Sequence, residues 1–381
     1  MGEVGKVVTG KTPSTKDPEN FGGDYPFITI PDLKDQRYVV KTDRTVSEKG
    51  ANILRSIKLP KNSVVMSCLA TVGETGITVK ESFTNQQINA IIPYAKVADP
   101  EFLYYLFRKL KRQFQNYDGS VYINISKSKF EDIEVGMPGV DEQKRIAEML
   151  SAFDEKIENN NCIIKTLEEM AQAIFKEWFV ENQKGKAQTV KLNELVQIIS
   201  GHPFSSSLYV TDKQALGVVT IKNVQDGDFV TDCGSRIREV DVPRNMNKEC
   251  RLQERDILLS LTGNVGRVCF IYGGQYLLNQ RVAKIKPRNV DDQALAYFLF
   301  RQSVMQNRLI NMAKGSAQPN LSPVETGAVE LEIPSRDVLD QFSNLATPTF
   351  QQIVEQTLEN QKLAAMRDLL LPRLMSGEIQ V

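Results

Sequence analysis

The run DEQKRIAEMLSAFDEKIENNNCIIKTLEEMAQAIFKEW, Asp141 to Trp178, decides the architecture. Ile146, Leu150, Phe153, Ile157, Asn160, Ile164, Leu167, Ala171, Ile174 and Trp178 follow one another in alternating steps of four and three. A stripe repeating every 3.5 residues stays against a partner helix, so this is the seam of a coiled coil. No Gly or Pro interrupts it, and Glu, Gln, Lys and Ala, all good helix formers, fill the outer positions. Pro138 and Gly139 precede it, and Asn182 to Gly185 follow. At about 1.5 Å per residue such a helix spans roughly 55–60 Å, too long for a small domain and suited to a spacer. Asn160 is the one polar residue on the seam. It reads either as a tolerated amide at a frayed or partly wet turn, or as a register-fixing group, since a buried polar side chain penalises slipped pairings.

A chain of 381 residues suggests two or three domains, and its ordinary apolar content permits sizeable cores. No basic-then-apolar leader opens it and no apolar run approaches about 18 residues, so a soluble cytoplasmic protein without a membrane span is expected. Cys68, Cys162, Cys233, Cys250 and Cys269 are scattered without a CxxC pair and read as reduced. With His202 the single histidine, a Cys/His zinc site is improbable. Lys plus Arg and Asp plus Glu both number 47, which argues against a protein wrapped in nucleic acid on all sides. It permits one basic face, because the field follows distribution rather than sum. The seam helix is acid-rich, so the flanking segments carry a positive excess.

Those segments repeat each other. Residues 1–138 read as strands and loops with a helix over Glu101–Asn116 and a final strand over Ile133–Met137. Thr9-Gly10 answers Ser200-Gly201, and Phe27–Ile30 answers Val218–Ile221. Leu59–Gly73 answers Leu252–Gly266, and Asn85-Gln86 answers Asn279-Gln280. Tyr105–Arg108 answers Phe298–Arg301. Gly119-Ser120 with Asn124 and Ser126 answers Gly315-Ser316 with Asn320 and Ser322. The offset drifts from 191 (Thr9 to Ser200) only to 196 (Pro138 to Pro334). A second helical segment, 337–375, has the rougher seam Phe350, Ile353, Thr357, Asn360, Ala364, Leu371 and Leu374, with an irregular start at Pro348 and a weakened last turn at Pro372. The expected plan is α+β: domain 1–138, spacer helix 139–184, domain 185–334, spacer helix 335–381. The two helices are expected to pair antiparallel, with a pseudo-twofold axis between the domains.

Gly5-x-x-x-x-Gly10-Lys11-Thr12 matches the phosphate-binding loop of nucleotide hydrolases as written. That mechanism needs a strand before the loop and a helix opening at the Lys-Thr. Pro13 and a turn-like stretch follow instead, and the second copy, Ser200-Gly201-His202-Pro203, has no Lys-Thr. A glycine turn presenting Lys11 and Thr12 at a surface is the better reading. No nuclease constellation recurs in both copies. No Asn/Asp-Pro-Pro-aromatic tetrapeptide or glycine-rich S-adenosylmethionine loop is present, and no catalytic residue is expected.

Basic and amide side chains do recur in loops at answering places. These are Lys11, Thr12, Lys34, Arg37, Asn124, Lys127 and Lys129 in the first copy. In the second they are His202, Lys222, Asn223, Arg236, Arg238, Arg267, Lys314, Gln318 and Asn320. Arg and Lys suit phosphates and guanine edges, Asn and Gln suit adenine edges, and these are the candidate DNA contacts. Asn85 and Asn279 are expected to be structural.

Domain, spacer, domain, spacer is an order that resembles the specificity subunit of Type I restriction-modification systems. The resemblance covers essentially the whole chain and rests on Thr9–Ser14 (TGKTPS), Glu142–Glu158, Gly315–Ser322 (GSAQPNLS) and Leu369–Ile379 (LLLPRLMSGEI). It departs at the start, where Met1-Gly2 stands almost inside the first domain and the first strand is expected to be incomplete. The resemblance implies two target recognition domains, each reading half of a bipartite double-stranded DNA site. It implies helices that set the gap between half-sites and dock two modification (methyltransferase) subunits, with restriction subunits where present. S-adenosylmethionine, ATP and Mg would belong to those partners, with no cofactor or metal in this chain. The rival readings are a nucleotide hydrolase using Lys11 and Thr12, and a coiled-coil scaffold that binds only protein.

Overall fold

The computed structural model describes residues 1–34, 36–69, 71–116, 125–181, 188–212, 214–227, 229–230, 233–313 and 319–380. They form two compact units, Met1–Ile157 with Lys362–Val381, and Glu158–Gln361. Each unit holds one domain and part of each long helix.

In the first unit the strands are β1 (Gly5–Thr9), β2 (Phe21–Ile28), β3 (Tyr38–Val39), β4 (Arg44–Val46), β5 (Val64–Ser67), β6 (Thr75–Thr78), β7 (Phe83–Thr84) and β8 (Ile88–Pro93). The helices are α1 (Glu48–Ile53), α2 (Pro100–Asn116), α3 (Lys127–Glu131) and the start of α4 (Val140–Lys176). A five-stranded sheet runs β1-β8-β5-β6-β3, and a small sheet runs β4-β2-β7 with β2 and β7 parallel.

The second unit carries β9 (Gln188–Lys191), β10 (Val196–Ser200), β11 (Leu216–Val219), β12 (Phe229–Val230), β13 (Arg236–Ile237), β14 (Arg251–Leu252), β15 (Ile257–Ser260), β16 (Val268–Ile271), β17 (Tyr276–Leu278), β18 (Val282–Pro287) and β19 (Glu330–Ile333). Its helices are α5 (Leu192–Leu195), α6 (Gln293–Arg301), α7 (Ser303–Met312), α8 (Pro323–Gly327) and most of α9 (Arg336–Met375). The sheet order β10-β18-β15-β16-β12 reproduces the first domain strand for strand, down to a parallel last pair in each. The pairing of β11 with β17 reproduces that of β2 with β7: Ile28 lies opposite Thr84 and Val219 opposite Leu278. The repeat read from sequence is therefore a repeat of topology.

Each domain is bound to the helices through an aromatic helix. In the first unit, Phe102, Tyr105 and Phe107 of α2 share a core with Ile146, Ala147 and Leu150 of α4 and Leu371 and Leu374 of α9. In the second, Tyr297, Phe298 and Phe300 of α6 share one with Ala171 and Phe175 of α4 and Phe342, Phe350 and Ile353 of α9. Facing residues there run Asn160–Glu359 and Phe175–Phe342, so the helices are antiparallel as expected.

The seam shifts at two points. Asp154, not Phe153, is the buried residue at its turn, because Arg367 of α9 pairs with it. Near the C-terminal end of α4, Phe175 and Phe179 are buried where Ile174 and Trp178 are half-buried. The helix widens into a π turn over Glu177–Glu181, just beyond the shifted Phe175. Asn160 is fully buried and bonded across to Glu359, not at a wet turn.

Three further expectations are corrected. Helix α9 is continuous from Arg336 through Pro348 and Pro372. Both prolines are exposed, and buried Ala346 and Phe350 flank Pro348, so packing holds the helix past the missing N–H bond. Strand β1 is full length, pairing from Gly5–Pro93 to Thr9–Asn89 as β10 pairs with β18. Ile133–Met137 is not a strand, although Ile133, Val135 and Met137 pack on the core. The answering β19 pairs with β9, whereas the carbonyls of Glu131 and Ile133 accept from the Met1 amino group.

Candidate nucleic-acid interface

The strand register gathers several loops at one end of each five-stranded sheet. In the first domain Thr9 lies opposite Asn89, and Ser67 opposite Ile88, so the ends of β1 and β5 meet the start of β8. In the second, Ser200 lies opposite Ala283 and Ser260 opposite Val282. The segments leaving β1 and β5, and the turn entering β8, thus share an edge with Lys11, Thr12 and Gln86 on it. The answering edge carries His202, Gln280, Arg281 and the loop Leu261–Arg267.

Glycine makes this edge possible. A Cβ on Gly10 would lie 2.1 Å from the Asn85 carbonyl oxygen, and one on Gly201 would lie 2.3 Å from that of Asn279. The close approach lets Lys11 N–H donate to Thr84 (2.9 Å) and His202 N–H donate to Leu278 (2.8 Å). Both residues are thereby held at the same place in the repeat. Asn85 and Asn279 accept backbone N–H groups of Gln87 and Arg281 through their side chains, the structural role expected of them. A later segment returns to the same edge in each copy: Ile125 N–H donates to Cys68 (3.0 Å), and Leu321 N–H donates to Leu261 (2.8 Å). Asn320 bridges to Thr262 there.

The named side chains divide by position. Lys11, Lys34, Lys129, Lys222 and Asn320 are exposed. Thr12 donates to Gln86 (2.8 Å) and Lys127 pairs with Glu131 (3.5 Å). His202 is half-buried against Phe204, and Arg267 donates to Gln225 (3.0 Å). Asn223 accepts from Thr220 as a cap, the place Asp32 fills for Thr29. Arg238 pairs with Asp241 at 2.7 Å. Arg37 is buried between Glu101 and Glu155, and half-buried Arg236 donates to the Ala215 carbonyl, so both belong to the packing. Asn124, Lys314 and Gln318 lie outside the described residues. Exposed Gln86, Gln280 and Arg281 complete the edge; the Asn-Gln match between copies was the signal for them.

Cys68 is pushed up to about 11 by burial, which keeps it a thiol at neutral pH. The Glu249 carboxyl is held low by Lys286 and Lys284, an ion-pair cluster on β18 away from the loops. Lys11 and Thr12 follow a strand, and no helix opens at them, so the phosphate-binding loop reading lacks its structure. Among the described residues no group of three or more His, Cys, Asp or Glu side chains could hold a metal ion, and no helix is long and apolar enough to cross a membrane.

The family described as Type I restriction modification DNA specificity domain matches residues 1–169 and 184–359. The chain is 25% identical over 410 residues to the Type I restriction enzyme MjaIX specificity subunit of Methanocaldococcus jannaschii, covering 100% of this chain and 92% of that one. It is 34% identical over 168 residues to the HindI specificity subunit of Haemophilus influenzae, covering 42% of this chain and 36% of that one. A solved Type I restriction-modification S subunit from M. genitalium shares the fold, with a TM-score of 0.56 at 16% identity over 98% of this chain and 94% of that chain.

Proposed function

The chain belongs to the Type I restriction modification DNA specificity family and is a specificity subunit, and from that premise we propose how it works. Each domain reads one half of a bipartite double-stranded DNA site through the loop edge of its five-stranded sheet. The observation that carries this is the duplication of that edge, with Lys11 and His202 held by the same glycine turn on two sheets of identical order. Split sites need two readers at a set separation, and a rigid helix pair sets distance better than a loop. Exposed Lys11, Lys34, Gln86, Gln280, Arg281 and Asn320 supply phosphate and base-edge contacts. With 47 cationic and 47 anionic side chains, much of the phosphate attraction comes from partner subunits.

The helices dock two modification subunits. Met149 (38% exposed) and Met366 (53%) lie on the helices of the first unit, and Met170 (57%) and Leu345 (47%) on those of the second. The repeat offset of 196 carries Met149 to Leu345 and Met170 to Met366. Exposed apolar side chains thus recur at answering places on the helices of both units, which suits two copies of one partner. In the second unit they border a groove of Leu167, Ala171, Ile174, Phe342 and Ala346. This chain is non-catalytic. The partners bring S-adenosylmethionine and flip the target adenine, and restriction subunits, where present, bring ATP and Mg for translocation and cleavage. The assembly works in the cytoplasm.

A map of N6-methyladenine in cells carrying this chain and its modification subunit, against cells lacking only this chain, tests the reading. A split motif that vanishes with the chain is expected. Identical maps from an assembled complex would overturn it.

A further inference from the structure

Resting on that reading, we propose that Asp154 and Glu168 of α4 are positioning residues: each fixes the setting of one reading domain on the helices, and so the gap accepted between half-sites. In the first unit, Tyr105 of α2 donates its hydroxyl to Asp154 Oδ2 at 2.6 Å. Arg367 of α9 pairs with the same carboxylate, and Arg108 of α2 stands 3.9 Å away. In the second unit, Tyr297 of α6 donates to Glu168 Oε1 and Arg301 of α6 pairs with Glu168 Oε2, both at 2.5 Å. Arg301 also pairs with Asp226, whose carboxylate accepts from Val268 N–H (2.9 Å) at the start of β16. Burial pushes both phenols up, so each stays a donor.

Further polar contacts join each domain to the helices, Gln143 of α4 with Asp99 N–H and the Val97 carbonyl in the first unit and Arg336 and Ser343 of α9 with Asp292 in the second. The rest of each joint is apolar, and apolar contact is non-directional. It holds a domain down without fixing its slide or rotation along the helix. Hydrogen bonds to a carboxylate fix both, because they weaken steeply with distance and angle. One base pair of gap is about 3.4 Å and about a tenth of a turn, so small changes in setting matter to the site read.

These joints also break the repeat. The offset of 196 carries Asp154 to Phe350, and Glu168 answers Ala364. The second carboxylate is therefore not a copy of the first. The two domains have acquired separate polar joints, both on α4.

Removing either carboxylate leaves no orphaned cation, since Arg367 keeps Asp368 (2.8 Å) and Arg301 keeps Asp226. Positioning is thus separable from folding. The test uses the complex with its modification subunits on duplexes carrying the native gap, or one base pair more or less, and reads initial rates of N6-methyladenine formation. Asp154→Asn and Glu168→Gln are expected to raise the altered-gap to native-gap rate ratio about tenfold, about 1.4 kcal/mol of discrimination. Tyr105→Phe and Tyr297→Phe, which keep the packed rings, are expected to raise it less. Base preference within each half-site stays unchanged. An unchanged ratio in all four folded variants, or an equal fall on every gap, would overturn the assignment. A wild-type complex that methylates no split site would instead fail the bipartite reading beneath it.

Discussion

Asn160, fully buried on α4, donates its amide to Glu359 Oε2 of α9 at 2.8 Å, and one residue on Asn360 donates to Asn161 at the same distance. The layer is polar and only partly satisfied: the side-chain oxygens of Asn160, Gln356 and Asn360 and the nitrogen of Gln361 are buried without a hydrogen-bond partner. Buried polar groups in this state cost stability relative to a well-packed apolar layer. Asn160→Leu is therefore expected to stabilise the second unit by about 1 kcal/mol, raising its thermal midpoint by about 2–4 °C. Calorimetry checks it, and a lowered midpoint would mean that the amide pair is net stabilising.

The turn that presents Lys11 depends on Gly10 more than on Lys11. A methyl at Gly10 or Gly201 collides with a carbonyl of the opposing turn, and backbone gives way less easily than a side chain. Gly10→Ala and Gly201→Ala are each expected to cost about 1–3 kcal/mol or more. Urea unfolding of each variant measures this; wild-type stability would mean that the turn rearranges freely.

Lys11→Ala should behave in the opposite way. Exposed and outside the core, it is expected to leave stability within about 0.5 kcal/mol. As a phosphate contact its loss should weaken DNA binding across all sequences and reduce the slope of log affinity against log salt by about one. A change confined to one base position would instead make Lys11 a base reader.

The recurrence of exposed apolar side chains on the helices predicts a change in stoichiometry. Met170→Glu with Leu345→Glu places charge among those of the second unit and is expected to remove one modification subunit. Met149→Glu with Met366→Glu is expected to remove the other. Native mass spectrometry counts the subunits, and two retained in both variants would place docking elsewhere.

The seam from Ile146 to Ala171 was legible because a 3.5-residue stripe is a local signal, and the repeat was legible because it is a comparison within one chain. The joints were not. A carboxylate at Asp154 makes sense only with Arg367 and Tyr105, which are remote in sequence. Phe175 and Phe179 escaped notice because the buried stripe has already left the 3.5-residue period at Phe175, ahead of the π turn. Arg37 and Arg236 look like any loop cation until their burial and partners are known. Lys11 stood out for a phosphate-loop pattern that the fold does not use, whereas the Gly10–Asn85 approach that positions it was visible only as a recurrent Gly and a recurrent Asn-Gln.

The central claim is that the two domains read separately, and exchanging one of them tests it most directly. Residues 1–138 would be replaced by the answering domain of another member of the family, and N6-methyladenine mapped in cells carrying the chimera and the modification subunit. The account predicts that one half-site changes while the other half-site and the gap stay as they were. A motif unchanged by the exchange, or altered in both halves at once, would contradict it.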